Sequence, residues 1–191
     1  MHPIKNLSRV PKLVALSKDL RIKQLDQSDA EALFLLTEQN RSYLKRWLPW
    51  FNTCMNLNDT LNFIANANDE ADKNSRLVFG IFFKEKISGM ISFNTIDVSS
   101  GQAEIGYWIG EALQRLGLIT CACAKLVDIG FTQLGLKLIA IRCGIENTKS
   151  QNVPMRLGFK KSDTILEKEN VHGIYIDLLL YTIQRDQWHN R

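Results

Sequence analysis

The sequence predicts an α+β domain built on one mixed, mostly antiparallel sheet with helices on both faces. Three observations point there. The elements run strand, helices, three antiparallel-looking strands, helix, strand, helix, two strands. The stretch Leu77 to Phe83 is continuously apolar, as a strand covered on both sides should be. The helical pattern of Leu118 to Leu134 stands alone instead of recurring in βαβ units, which argues against a doubly wound sheet.

Each element has a local reason. The first 17 residues carry Lys5, Arg9 and Lys12 and read as a basic extension, a strand or an arm. Lys18 to Leu25 alternates Leu20 and Ile22 against Arg21 and Lys23, a first strand. Asp26 to Asp29 offers capping side chains, and Ala30, Leu33, Phe34 and Thr37 follow at helical spacing. A second helical stretch spans about Tyr43 to Trp47 and stops at Pro49. Asn58 or Asp59 is expected to cap a third, with Leu61, Ile64, Ala65 and Asn68. Strands follow at Leu77 to Phe83, Ile87 to Asn94 and Ala103 to Ile109, the first two joined by a turn at Lys84-Glu85-Lys86. In Leu118 to Leu134, Ile119, Cys123, Leu126, Val127 and Gly130 share one face, and Gly135 ends the helix. Leu136 to Ile145 is a strand. Lys149 to Arg156 is a short polar helix, with Pro154 expected in its early part. Phe159 to Leu166 and Ile174 to Ile183 close the chain around a turn at His172-Gly173.

Composition narrows the function. The 191 residues, 45% apolar, suit one domain with a full core. No apolar run approaches the roughly 20 residues needed to cross a bilayer, and no signal peptide or membrane association is expected. Cys54, Cys121, Cys123 and Cys143 show neither metal-ligand spacing nor a disulfide framework, so a reducing compartment and no metal are expected. A net charge of +4 with mixed signs along the chain lacks the basic stripe of a nucleic-acid module. His2, His172 and His189 lie near the ends or in a turn, so no nucleophile–histidine set is indicated.

The chemistry concentrates between Gly106 and Leu134. A strand ends at Ile109, and Gln114-Arg115-Leu116-Gly117-Leu118-Ile119 leads into a helix. Free N–H groups of a first helical turn, with the helix dipole behind them, make an anion site. Gly117 permits close approach of an anion to the backbone, and Arg115 adds a positive charge.

With these residues the segment resembles the pyrophosphate loop of the GNAT acetyltransferase superfamily, Gln/Arg-x-x-Gly-x-Gly/Ala, matched here by Gln114 and Gly117. Ile119 replaces the last small residue, as in the branch resembling ribosomal-protein N-acetyltransferases of the RimJ/RimL type. Tyr43-Leu44-Lys45-Arg46-Trp47-Leu48-Pro49-Trp50, Ala103 to Ile109, Ile141-Arg142-Cys143, Glu146 to Ser150 and Arg156-Leu157-Gly158-Phe159 fit the same branch. The resemblance covers about residues 18 to 188, which sets a domain of 18–188 behind an extension of 1–17. It implies a GNAT fold: a central, mostly antiparallel, splayed seven-stranded sheet flanked by helices. It implies a cytoplasmic enzyme that moves acetyl directly from acetyl-CoA to a primary amine, with no acyl-enzyme.

The resemblance also assigns roles. Glu104 is expected to act as the base or to orient the amine, directly or through water. Ile109, or its neighbour Trp108, would offer a backbone N–H to the oxyanion beside the splay, with Gly110 and Glu111 marking where the strand parts. The tyrosine common in the superfamily seven residues after the motif asparagine is here Pro154, so Ser150 is the expected partner of the departing thiolate. Asn147 is expected to touch the pantetheine arm, although Asn147 and Ser150 are equally good helix caps. Gln114, Arg115, Leu116, Gly117, Leu118, Ile119 and Thr120 would hold the diphosphate. Trp47 and Trp50 would line the acceptor channel or simply fill core. Arg142 needs a carboxylate, from Glu104 or Glu146.

A protein N-terminus, ribosomal protein being the leading example, is the expected acceptor. A small amine such as a polyamine, amino acid or aminoglycoside is the alternative acceptor, and an acyl-CoA-binding sensor the alternative without catalysis. A homodimer is the common assembly among enzymes resembling this one.

Overall fold

The computed structural model describes Leu7 and residues 10–189, apart from the side chains of Asn52, Glu167 and Lys168. His2, Lys5 and Arg9 lie outside the described residues.

Eight strands form one sheet in the order β1-β2-β3-β4-β5-β6-β8-β7. They are β1 (Leu13–Ala15), β2 (Leu20–Gln24), β3 (Leu77–Phe83), β4 (Lys86–Asp97), β5 (Gln102–Ile109), β6 (Leu138–Gly144), β7 (Lys160–Val171) and β8 (Ile174–Gln184). Seven of these are the strands expected from the sequence. The eighth comes from the segment read as an extension: β1 pairs antiparallel with β2, and Leu7 and Val10 are buried in the main core.

All neighbours pair antiparallel except β5 and β6, which are parallel and matched only at Gln102, Glu104 and the residue between them. Beyond Glu104 the two strands part. The parting therefore begins earlier in β5 than Gly110 and Glu111, where the sequence suggested it. On its other side β5 stays paired with β4 as far as Ile109, opposite Gly89. A Cβ on Gly89 would come within 2.3 Å of the Trp108 carbonyl oxygen, so only glycine lets the two strands approach this closely.

Among the described residues six α-helices complete the fold: α1 (Ala30–Gln39), α2 (Arg41–Lys45), α3 (Leu57–Asp72), α4 (Leu118–Ile129), α5 (Thr148–Arg156) and α6 (Arg185–His189). Strand alternation splits the core between the two faces. Phe79, Ile81, Ile91, Phe93 and Ile105 pack with Ala122, Leu126, Val127 and Ile129 of α4, while Val78, Met90 and Trp108 pack with Leu33 of α1 and Ile64 of α3. Phe79, Phe93 and Ile91 are fully buried, each contributing roughly 1.5–3 kcal/mol of transfer free energy.

Several details differ from the sequence expectation. The cap of α3 is Asn56, earlier than Asn58 or Asp59; Asp59 instead completes a reciprocal capping box with it. The long helix ends as α at Ile129 and widens into a π-turn over Gly130–Leu134 before Gly135, at φ 77, stops it. Gly130 sits tightly against the sheet there, since a Cβ would meet Ile139 at 2.8 Å and Phe93 at 3.0 Å. Pro154 lies late in α5.

Candidate active site

The parting of β5 and β6 opens a cleft of about 1640 Å³ in the middle of the sheet, lined by residues from the helices of both faces. Along Gly106 to Ile109, β5 has a partner on the β4 side only. Successive backbone N–H groups of a strand point to opposite sides, so part of this stretch presents its donors to the gap. Trp108 and Ile109 line the gap and are themselves largely buried.

The loop from Gln114 to Gly117 closes one end of the cleft. Arg115 and Gly117 both adopt left-handed backbone, at φ 64 and 75. Gly117 is the residue before α4, and no side chain caps that helix. Elsewhere in the chain Asp26, Asn56 and Asn147 each cap a helical turn through a side-chain oxygen. The first turn of α4, at Leu118, Ile119 and Thr120, thus keeps its N–H groups for a ligand, with the positive end of the helix dipole behind them. A Cβ on Gly117 would meet no atom within 4 Å, which shows open space on the ligand side. Leu116 is exposed and is the one loop residue of the expected set that does not line the cleft. Gln114 braces the loop: its amide N–H donates to the Tyr43 hydroxyl, and its carbonyl accepts from Lys149 Nζ at 2.8 Å. Burial, with Glu111 adding negative charge nearby, raises the Tyr43 phenol above its ordinary pKa, so it stays a neutral partner.

The start of α5 forms a second wall. Asn147 Oδ1 accepts from the Ser150 N–H at 3.1 Å, so the cap reading of Asn147 holds; its amide nitrogen is left for other contacts. Gln151 Nε2 ties the preceding turn, donating to the carbonyls of Gly144 and Ile145 at 2.9 and 2.8 Å. Ser150 Oγ stands 3.3 Å from Cys143 Sγ and 3.4 Å from the Tyr107 hydroxyl. Burial raises the Cys143 thiol above its ordinary pKa, which keeps it protonated.

The third wall is charged. Glu104 on β5 forms an ion pair with Arg142 on β6, while Glu146 faces Arg46 at 3.7 Å, so the structure chooses between the two carboxylates offered to Arg142. Glu169 on β7 lines the same cleft. Burial raises its pKa; Arg142 pulls it down and Glu104 pushes it up. Sequence reasoning missed Glu169 because it ended this strand at Leu166, whereas β7 runs to Val171. The signal available was the turn at His172-Gly173, which places Glu169 on the strand leading into it. Trp47 and Trp50 line the cleft, and Trp50 stacks on the buried Phe51 at 5.1 Å while leaning on Trp108. Among the described residues no group of three or more His, Cys, Asp or Glu could hold a metal ion. No helix among them is long and apolar enough to cross a membrane.

Comparison with known proteins gives this geometry a family. Residues 19–160 match the acetyltransferase (GNAT) domain. The chain is 32% identical over 174 residues to a Bacillus subtilis protein, YdaF, provisionally named a ribosomal N-acetyltransferase, covering 90% of this chain and 94% of that one. It is 28% identical over 169 residues to the ribosomal-protein-serine acetyltransferase of Escherichia coli, covering 88% and 94%. Among solved structures, the microcin C7 self-immunity acetyltransferase MccE, in complex with acetyl-CoA and AMP, superposes with a TM-score of 0.87 at 28% identity, covering 93% and 99%. RimL bound to coenzyme A shares the fold, with a TM-score of 0.88 at 23% identity over 92% of this chain and 99% of that one. A sheet that splays beside β5, an uncapped helix behind a Gln-x-x-Gly loop and these relatives agree: the chain belongs to the GNAT acetyltransferase family and is an N-acetyltransferase.

Proposed function

We propose that the enzyme transfers acetyl from acetyl-CoA directly to the α-amino group of a protein N-terminus, a ribosomal protein being the leading acceptor. The observation that carries this reading is the uncapped first turn of α4 opening into the same cleft as the parted strands and the Glu104–Arg142–Glu169 cluster. The diphosphate of acetyl-CoA fits the Gln114–Thr120 turn, where backbone donors, Arg115 and the helix dipole converge. The thioester then lies in the gap between β5 and β6. Asn147 contacts the pantetheine arm through its amide nitrogen.

The amine attacks the thioester carbonyl; the C–N bond forms as the C–S bond breaks. An α-amino group, with a pKa near 7.7–8.0, is partly neutral at physiological pH, so the base acts mainly by taking the proton that the amine nitrogen releases as the C–N bond forms. Of the two carboxylates, Glu169 suits the base: burial raises its pKa toward the working range. Glu104, engaged by Arg142, holds the guanidinium and orients the amine, and so acts beside the proton transfer. This moves the base expected at Glu104 to its neighbour across the cleft. The Ile109 N–H stabilises the oxyanion: Gly110 N–H donates to the Ser88 carbonyl of β4 at 2.9 Å, so alternation turns the Trp108 N–H to β4 and the Ile109 N–H to the gap. Ser150 Oγ–H donates to the departing thiolate. Trp47 and Trp50 wall the acceptor entrance. The names of the relatives from Escherichia coli and Bacillus subtilis support the acceptor class.

A thiol-release assay with acetyl-CoA tests the reading against Ser- and Ala-starting peptides, polyamines, amino acids and aminoglycosides. Release with the peptides alone is expected. Release with polyamines or aminoglycosides and none with peptides would overturn the acceptor.

A further inference from the structure

Arg76 lines the acceptor side of the cleft, yet the reaction just described gives it no task. It precedes β3 and shares a face with Val78, which packs under α1 and α3. Its guanidinium lies over Phe63 of α3, 5.5 Å from the ring centroid, and meets Glu70 through one contact at 3.3 Å. Its Nε is buried and, among the described residues, has no hydrogen-bond partner. A part-exposed pair of this kind holds Arg76 only weakly, and the unpaired buried donor adds no hydrogen bond of its own. Burial of Nε keeps the guanidinium in place, and its part-exposed end faces the cleft, where a ligand oxygen can meet it.

The sheet fixes the distance between Arg76 and the reacting end. Leu77 pairs with Phe93 on β4, and Thr95 pairs with Glu104 on β5. Arg76 and Glu104 therefore stand two strands apart, roughly 10 Å at the usual strand spacing. Asn94 lies between them on β4; its Oδ1 accepts from Ser92 Oγ at 2.6 Å, which directs the amide nitrogen toward Gly106. Asn62 and Asn66, one helical turn apart on α3, line the same passage. An extended peptide covers about 3.3 Å per residue, so three residues span the interval.

We infer that Arg76 reads an acidic side chain within the first three residues of the acceptor, making the enzyme selective for acidic N-terminal segments. This rests on the N-terminal acceptor proposed above. With the amine at Glu104 and Glu169, the acceptor's own carboxylate meets the guanidinium in competition with Glu70. Asn62, Asn66 and Asn94 hydrogen-bond the intervening backbone. A polycation would place a second positive charge against Arg76 and is disfavoured.

The test uses the full chain and three peptides that share a Ser start and carry Glu, Gln or Lys at the third position. Turnover by thiol release and binding by calorimetry are measured for each. For the unmodified enzyme kcat/KM is expected to favour Glu over Gln by about tenfold, the scale of one charge-assisted contact, with Lys lowest. In Arg76→Gln the Glu/Gln ratio falls to near 1, mainly through KM; Arg76→Lys retains part of it; Arg76→Glu favours the Lys peptide. Acetyl-CoA titration of each variant shows that it is folded, and Arg76→Lys serves where Arg76→Gln is not. Equal use of Glu and Gln peptides, or a preference that survives in Arg76→Gln, overturns the inference. If no peptide is acetylated, the acceptor reading fails; Glu-selective binding lost in Arg76→Gln would still uphold Arg76 as the anion-reading group, and unselective binding would remove it.

Discussion

The Tyr107 hydroxyl donates a 2.9 Å hydrogen bond to the backbone carbonyl of Ser150. In an unbroken helix that carbonyl would accept from the N–H four residues on, but that residue is Pro154, which has none. A side chain of the central strand thus completes the helix that carries Ser150, and so sets the height of the Ser150 hydroxyl in the cleft.

Tyr107→Phe should therefore loosen α5 as well as the site. Loss of one partner of a part-buried bond costs about 1–3 kcal/mol, to be read as a lower unfolding midpoint in urea. Turnover should fall too, with acetyl-CoA affinity less affected. Unaltered stability would show that water replaces the tyrosine.

The pH profile tests the carboxylates. As the base, Glu169 must be ionised, and its pKa lies above the ordinary carboxylate value because of burial, with Glu104 adding to the rise and Arg142 opposing it. The activity that depends on it is lost as pH falls through that raised value. Glu104→Gln removes a negative neighbour and frees Arg142, so the acid limb of kcat/KM should move to lower pH. Arg142→Gln should move it the other way, and Glu169→Gln should abolish it with a drop of roughly 10²–10⁴ in rate. An acid limb that vanishes in Glu104→Gln would return the base to Glu104.

Gly117→Asp should abolish acetyl-CoA binding by calorimetry. The new carboxylate would stand in the open space before α4, against the diphosphate, on a backbone at φ 75. Gly117→Ala meets no atom and carries chiefly the left-handed strain of about 1–2 kcal/mol, so it should bind detectably.

Asn147 can be divided into its two roles. Asn147→Ala should destabilise by about 1 kcal/mol through loss of the cap. Asn147→Asp keeps an oxygen for the Ser150 N–H and should restore stability while still weakening acetyl-CoA binding. Recovery of both together would leave Asn147 a cap alone.

Gly89→Ala should destabilise by about 1–3 kcal/mol, since its methyl meets the backbone of β5, which cannot rotate away. The same displacement moves Trp108 and Ile109, so catalysis should fail before folding does as temperature rises.

Strand and helix existence were legible because periodicity and turn residues act locally. Leu77 to Phe83 and the Ile119–Cys123–Leu126 face announced their elements directly. The turn before α4 was equally legible as a turn, since Gln114, Gly117 and the following helix are contiguous. The charged wall was not. Glu104, Arg142 and Glu169 come from three strands, and which carboxylate holds Arg142 depends on a parallel register of three residues that no local pattern encodes. Pro154 was visible, but the partner for the carbonyl it orphans lies 43 positions earlier in the chain.

The short strand Leu13–Ala15 is the outermost rail of the sheet beside β2. Its three residues present little free ladder, and the buried Leu7 and Val10 anchor it to the interior. A chain beginning only at residue 19, past β1, would bare the whole of β2 on that flank. Unpaired N–H and C=O groups along a five-residue strand are a template for a neighbouring molecule. What this rail protects is colloidal behaviour: shortened chains should clump in concentrated solution while single molecules still bind their ligands.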